Sequence, residues 1–382
     1  MGFMANTKSK RPSGSRPVLI ALTLYHVNFS LYIGALPIAL FADGFSPAAA
    51  ALIVGAFAGG LIAARLLFRR AFRLRDGTQL LKIAHSLQLV AALLILILPH
   101  NWFLVIPRAI HGLSCAFFSV ALGLWVANDL PFERRGRFRG IEGGLLATIL
   151  VLVPLLGIAV AERLSLQGVA MVGLLCAIGA FLFHFSSDHS ADRNDVHVSA
   201  APRNFFILLS ILAFGGAIVG TIQVMFPVLI TSKSGTTIAS VLIVFGLASV
   251  IARVAAGLCS DRWGRHWPLT TGAILVVVGG LLFYFSDNAI QTLGAIGILA
   301  SGVGAFATAA QILVADSAGG RIDGGRIISD ASLFWDVGQF LGPLGMGLIA
   351  SYAGASAVSI AIIGIGLITF ALTIAGVVRH ER

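Results

Sequence analysis

The sequence predicts an all-α membrane protein of about twelve transmembrane helices, arranged as two six-helix bundles related by a pseudo-twofold axis. Three observations predict it. The 382-residue chain is 58% hydrophobic and only 11% charged, against roughly half and a quarter in soluble domains. The apolar residues fall into about twelve runs of the ~20 residues that a bilayer crossing needs. Landmarks in the first half recur in the second about 190 residues later. Lipid solvates apolar helix surface that a single water-soluble core of this size would have to hide.

The first six spans are expected at 18–41, 48–68, 79–98, 102–126, 141–160 and 168–185. A polar stretch at 186–203, the only long hydrophilic segment in mid-chain, reads as a linker. It divides the chain into bundles at 1–185 and 204–382. Six more spans follow at 204–230, 236–258, 268–286, 289–314, 328–351 and 357–378, of which the ninth, like the sixth, is short. The run from Val18 to Phe41 is too long for a signal peptide and lacks a convincing cleavage site, so it is expected to be a retained first helix. Ala64-Arg65 ends the second span and Ala252-Arg253 the eighth; Pro37 and Pro227 take equivalent places in the first and seventh. A constant offset of this kind points to parallel structural repeats, an architecture that places a site at the interface of the halves.

The net charge of +10 does not point to nucleic acid, because the basic residues sit in short gaps between apolar runs. With the N-terminus inside, the inner gaps hold Arg65, Arg69, Arg70, Arg73, Arg75, Lys82, Arg134, Arg135, Arg137, Arg139, Arg253, Arg262, Arg265, Arg321 and Arg326. The outer side holds only Arg163 and Lys233. The positive-inside rule then puts both termini and the linker in the cytoplasm of a cell inner membrane. Cys115, Cys176 and Cys259 are widely spaced and form no CxxC pair, so no disulfide or redox role is assigned. No phosphate-binding loop, HExxH, metal cluster or nucleophile elbow is present. Enzyme readings therefore have no positive support, and neither cofactor nor metal is expected.

Ala252-Arg253-Val-Ala-Ala-Gly257-Leu-Cys-Ser-Asp261-Arg262-Trp-Gly264-Arg265 resembles the signature loop of the major facilitator superfamily. Gly257 suits close helix approach and Gly264 a tight turn. Asp261 is placed to accept hydrogen bonds at a neighbouring helix N-terminus, and Arg262 and Arg265 suit an anionic leaflet. The resemblance implies that Arg253, Gly257, Asp261, Arg262, Gly264 and Arg265 latch one conformation. The first-half counterpart departs from the pattern. Arg69 stands where Gly is expected, Arg73 where Asp is expected, and Asp76-Gly77 comes three residues late.

Arg108-Ala-Ile-His111-Gly112 in the fourth span is similar to the Arg-x-x-x-Gly motif of proton-coupled exporters in the same superfamily. Arg108, His111, Cys115 and Ser119 share one stripe. A charged residue within a span usually faces a cavity or a partner, although Arg108 also lies near enough the outer end to snorkel. Val153-Pro154-Leu-Leu-Gly157 in the fifth span resembles the exporters' Gly-Pro-x-x-Gly motif in part, with Val153 in place of the leading Gly, and Gly342-Pro343-Leu-Gly345-Met-Gly347 in the eleventh is the fuller form. On the eleventh helix Ser329, Ser332, Asp336, Gln339 and Pro343 form a polar stripe. Gly338, Gly342 and Gly345 lie opposite, on a face suited to close packing.

The proton-coupling candidates are thus Arg108, Asp336, Glu142 and His111. Arg108 and Asp336 lie on polar stripes of helices from opposite halves; if both face the central cavity, one supplies a fixed positive charge and the other a protonatable carboxylate. Cavity candidates are Tyr25, His26, Asn28 and Tyr32 on the first span, Ser119, Gln223 and Gln311, and Ser332, Trp335 and Gln339 on the eleventh. For several of these a packing role stands equally open. The resemblance implies a monomeric transporter that moves a small molecule by alternating access, with protons and the bilayer as its other partners. Proton-coupled efflux of a drug-like compound or metallophore is the expected activity. Import of a sugar, organic anion or siderophore is the runner-up, and a non-transporting membrane sensor the alternative of another class.

Overall fold

The computed structural model describes residues 15–74, 76–99, 101–183, 205–230 and 236–378, which are helical almost throughout. The segment read as a linker, 186–203, lies outside the described residues. The helices are α1 (Ser15–Ala42), α2 (Pro47–Leu67), a one-turn-and-a-half α3 (Arg69–Leu74), α4 (Gly77–Ile97), α5 (Val105–Asp129) and α6 (Phe132–Leu182). The second half supplies α7 (Phe205–Ile230), α8 (Ile238–Trp263), α9 (His266–Tyr284), α10 (Ala289–Ala318), α11 (Gly324–Ala353) and α12 (Ala355–Val378).

Among the described residues ten helices meet the length and apolarity of a membrane span, and α2 is a shorter apolar helix of the same kind. α6, at 51 residues, would be about 77 Å long if straight, far beyond the ~30 Å of hydrocarbon. It is broken at Ser165, whose φ of 61° is non-helical. The two arms are the fifth and sixth spans. The loop expected over 161–167 is thus a single-residue break. With α6 counted twice and α3 left aside, twelve spans result.

Helix starts are set by local chemistry. Ser46 caps α2 ahead of Pro47, Asp76 caps α4 through the Gln79 amide at 2.6 Å, and Asn288 caps α10. A side-chain oxygen at such a position satisfies an amide with no partner inside the helix. Asp76, the late acidic residue of the first-half loop, is therefore a helix cap. Gly264, with φ of 97°, turns the chain between α8 and α9 in a conformation that costs other residues.

The two bundles repeat their internal crossings. α1 crosses the first arm of α6 where Gly34 meets the Pro154 carbonyl and Gly157 meets the Leu31 carbonyl. α7 crosses α11 in the same way, Gly338 against the Ala213 carbonyl and Gly342 against the Ala217 carbonyl. A methyl at Gly345 would meet no atom within 4 Å, so the expected close-packing face stops one turn earlier. Between α2 and α5 the backbones touch at Gly60 and Gly112, and a methyl at Gly112 would overlap the Phe57 carbonyl. Outward-facing Leu66, Leu152, Leu175, Leu247, Ile251 and Leu348 are exposed, as lipid-facing surface is.

Backbone overlap cannot be relieved by a side-chain rotation, so Gly112→Val should cost roughly 1–3 kcal/mol. Gly345→Ala, in open space, should stay within about 0.5 kcal/mol. Thermal unfolding in detergent checks the pair. Equal melting temperatures would contradict the crossing.

Candidate functional site

The turns that carry most of the basic residues gather at one end of the molecule, here the basic end. There the two bundles are tied together. Asp261, at the end of α8, accepts the backbone N–H of Gly136 at 2.8 Å and of Arg137 at 2.6 Å. These are amides of the first turns of α6, the positive end of that helix. Gly257 lies against Gly136 and Gly140, with Gly140 Cα 2.8 Å from where its Cβ would be. Arg265 donates to Asp261 at 2.6 Å and to Asp316 of α10 at 3.0 Å, and it lies over the Phe132 ring. Arg135 reaches the same Asp316 at 2.8 Å. Arg262 rests beside Trp263, which is exposed.

The first-half loop makes its tie differently. Arg69 donates to both carboxylate oxygens of Asp330 on α11, at 3.1 and 2.9 Å. A two-pronged arginine–carboxylate pair thus stands where the second half uses a carboxylate on backbone amides. Arg73 is exposed. Below the cavity, Ile328 packs on Gly123, and Gly325 packs on the Phe72 carbonyl.

Above these layers lies a cavity of about 410 Å³ between the bundles, within the range of small-molecule sites. Its walls are mostly apolar, with Phe29, Phe57, Phe118 and Trp335 the aromatic members. Among the described residues its charged lining is Arg65, Arg139, Glu142 and Asp336. Of the candidates named from the sequence, His26, Ser119, Gln311, Ser332, Trp335, Gln339, Glu142 and Asp336 line it.

Asp336 does not pair with Arg108. Its partner is Arg65 of α2, 271 residues away in sequence, at Nε–Oδ2 2.6 Å. Arg65 Nη2 also donates to Ser119 at 3.2 Å. Arg65 is buried, with 3% of its side chain exposed. It is an interior residue of the site rather than one of the loop charges. The sequence reading missed it, and the signal that would have found it is its repeat relation to Arg253. Arg253 is likewise not a loop residue. It reaches back along α8 towards Gly143, where an added methyl would lie 3.2 Å from its Nη1. Glu142, one residue before, is held by Arg139 at 3.0 Å, one helical turn away.

Arg108 and His111 stand outside the cavity lining, inside the first bundle. His111 Nε2 meets Asn28 Oδ1 at 2.7 Å, and Asn28 donates to the Gly173 carbonyl at 2.6 Å. Tyr32 lies against the His111 ring, and the Arg108 guanidinium lies 5.2 Å from the Phe57 ring centre. Tyr25 bonds Ser114 at 2.6 Å and stacks on Phe118. These residues tie α1 to α5 and to the second arm of α6. Helical periodicity put them on a polar stripe, but that stripe turns into the bundle. Ser329 is also buried outside the cavity. Gln223 lies where side chains are outside the described residues.

The pattern of the Major Facilitator Superfamily matches residues 18–233 and 205–382. "Multidrug resistance protein MdtG" of Citrobacter koseri is 26% identical over 304 residues, 73% of each chain. A bacterial homologue of the iron transporter ferroportin, solved in the outward-facing state with soaked iron, superposes with a TM-score of 0.79 at 14% identity, over 95% of this chain and 99% of that one. The human organic anion transporter MFSD10 (TETRAN) superposes at 0.78 and 14% identity, over 94% and 98%. At such identities the structural likeness is one of fold.

Proposed function

The chain belongs to the Major Facilitator Superfamily, and on that premise we propose that it exports a small organic molecule across the inner membrane by proton-coupled alternating access. The observation that carries the reading is the Arg65–Asp336 pair. It joins the two bundles inside the cavity, about 18 Å along α11 from its start, where a charge is expensive unless paired.

A proton on Asp336 would neutralise the carboxylate, release Arg65 and remove one tie between the bundles. Loss of that proton would restore it. Protonation therefore biases a two-state element, which is what coupling requires. The ties at the basic end supply the other half of the element. With them made, the cavity is closed on that side. The excess of arginine there supports placing this end in the cytoplasm, so this conformation faces outward. Similarity to a multidrug resistance protein supports outward transport of organic molecules.

The test of the reading is flux in proteoliposomes with and without an imposed pH gradient, using a panel of fluorescent organic substrates. Gradient-dependent accumulation of at least one is expected. Ligand binding with no flux under any gradient would replace the transporter by a sensor.

Sidedness has its own test. In a background without Cys115, Cys176 and Cys259, a cysteine replacing the exposed Asp287 should react with an impermeant maleimide from outside the cell. One replacing the exposed Arg73 should react only after permeabilisation. The reverse pattern would invert the topology.

A further inference from the structure

The charges that line the cavity pair one to one, and one more guanidinium, that of Arg253, lies just outside the lining. On the α2–α11 side, Arg65 and Asp336 balance one to one. On the α6–α8 side a second guanidinium stands near one that is already paired. Arg139 pairs with Glu142, and Arg253 comes in beside the adjacent Gly143 with a single long bond of 3.4 Å to Ser249.

Donors to spare lie at the same place. Arg139 is 8% exposed, and its Nε is buried with no hydrogen-bond partner. So is the hydroxyl of Thr308 on α10, whose Oγ1 lies 3.5 Å from where a Cβ on Gly143 would be. A surplus positive charge with unused donors, beside a mostly apolar wall, is costly unless an anion meets it. Guanidinium N–H groups match the oxygens of a carboxylate, phosphonate or sulfonate. Beyond the charges, Phe29 and Phe57 stack at 5.6 Å on the cavity wall, with Phe118 and Trp335 also lining it.

We propose that the ligand of this cavity is an amphipathic organic anion: an aromatic or alicyclic body on the phenylalanine and tryptophan walls, and one oxyanion head held by Arg139 beside Arg253 and Thr308. The head takes different side chains from the Arg65–Asp336 pair, so ligand and proton are coupled through the conformation. The proposal rests on the transport reading for the fate of the ligand and not for its binding.

The experiment is equilibrium dialysis of purified full-length protein with 1-naphthylacetate, its methyl ester and 1-naphthylmethylammonium. The carboxylate should bind at least tenfold more tightly than the ester, and the ammonium most weakly. Arg139→Gln should lose that preference, and Arg139→Lys should recover part of it. Glu142→Gln carries the distinguishing sign. It removes the internal carboxylate that competes for Arg139, so the naphthylacetate affinity should rise threefold or more, whereas a merely structural Glu142 would lower it. Carboxylate binding no better than that of the ester in the wild type overturns the proposal, and so does unchanged or weaker naphthylacetate binding in Glu142→Gln. The same probes in proteoliposomes separate the two readings. Anion-selective binding without flux removes transport and keeps the anion site. Flux of the ammonium in preference to the carboxylate keeps transport and removes the anion site.

Discussion

Asp336→Asn is expected to abolish proton-driven accumulation, by more than tenfold, while ligand binding and downhill exchange persist. Asparagine keeps the shape of the side chain and a hydrogen-bond acceptor for Arg65, but it can neither carry the negative charge nor exchange a proton. The tie at 2.6 Å becomes a neutral contact that no longer responds to the gradient. Arg65→Gln should remove coupling as well, and it should also damage folding. It leaves the Asp336 carboxylate, 13% exposed, without its partner, and breaking a buried pair from one side costs about 3–5 kcal/mol. The double variant Arg65→Gln/Asp336→Asn should regain much of the melting temperature of the wild type and none of the gradient response. That split separates a coupling pair from a structural one. Arg108→Gln should act on stability through the first bundle. A full gradient response in Asp336→Asn would take the carboxylate out of the proton path and leave Glu142 as the cavity's other acid.

Asp261→Asn is expected to shift the molecule towards the state open at the basic end. The carboxylate holds two amides of α6 and the Arg265 guanidinium together. Hydrogen bonds to a charged group are worth about 1.5–3 kcal/mol each. Loss of even one such increment changes a two-state ratio by tenfold or more. Spin labels at the exposed Arg134 and Ile322, in opposite bundles, should show a new long-distance population in the variant. Net transport should fall because one half of the cycle has lost its bias. Arg73→Ala should change neither readout, since Arg73 is exposed and the first-half tie is Arg69 to Asp330. A silent Asp261→Asn beside a disabling Arg73→Ala would reverse the assignment.

Some of this was legible in the sequence for clear reasons. Lipid accepts only segments that satisfy their own backbone, so apolar runs of fixed length announce spans with little ambiguity. The loop from Gly257 to Arg265 works through backbone amides, a turn and a helix end. These are local devices, and they are written as local spacing. The glycines facing α7 were readable up to Gly342 because a close helix crossing needs a small residue at every approach. At Gly345 the helices have already diverged, and spacing alone does not mark where a crossing ends.

The site itself was only half legible. Helical periodicity names the face a residue occupies and not the neighbour that face meets. Arg108 and His111 share a stripe with Cys115 and Ser119, yet the upper part of that stripe turns into the first bundle and the lower part into the cavity. Arg65 was hidden among Arg69, Arg70 and Arg73, because a charge near a span end reads as a loop charge.

The amino-acid sequence by itself determined that this chain crosses a membrane about twelve times, in two repeated halves, with its basic residues gathered on one side. Those properties follow from transfer free energies and backbone geometry, which act residue by residue. Only the tertiary structure decided that Asp336 belongs to Arg65, that Glu142 belongs to Arg139 with Arg253 close by, and that Arg108 lies outside the cavity lining. A buried charge takes whichever counter-charge the packing of distant helices brings within about 3 Å, and no local pattern encodes that choice.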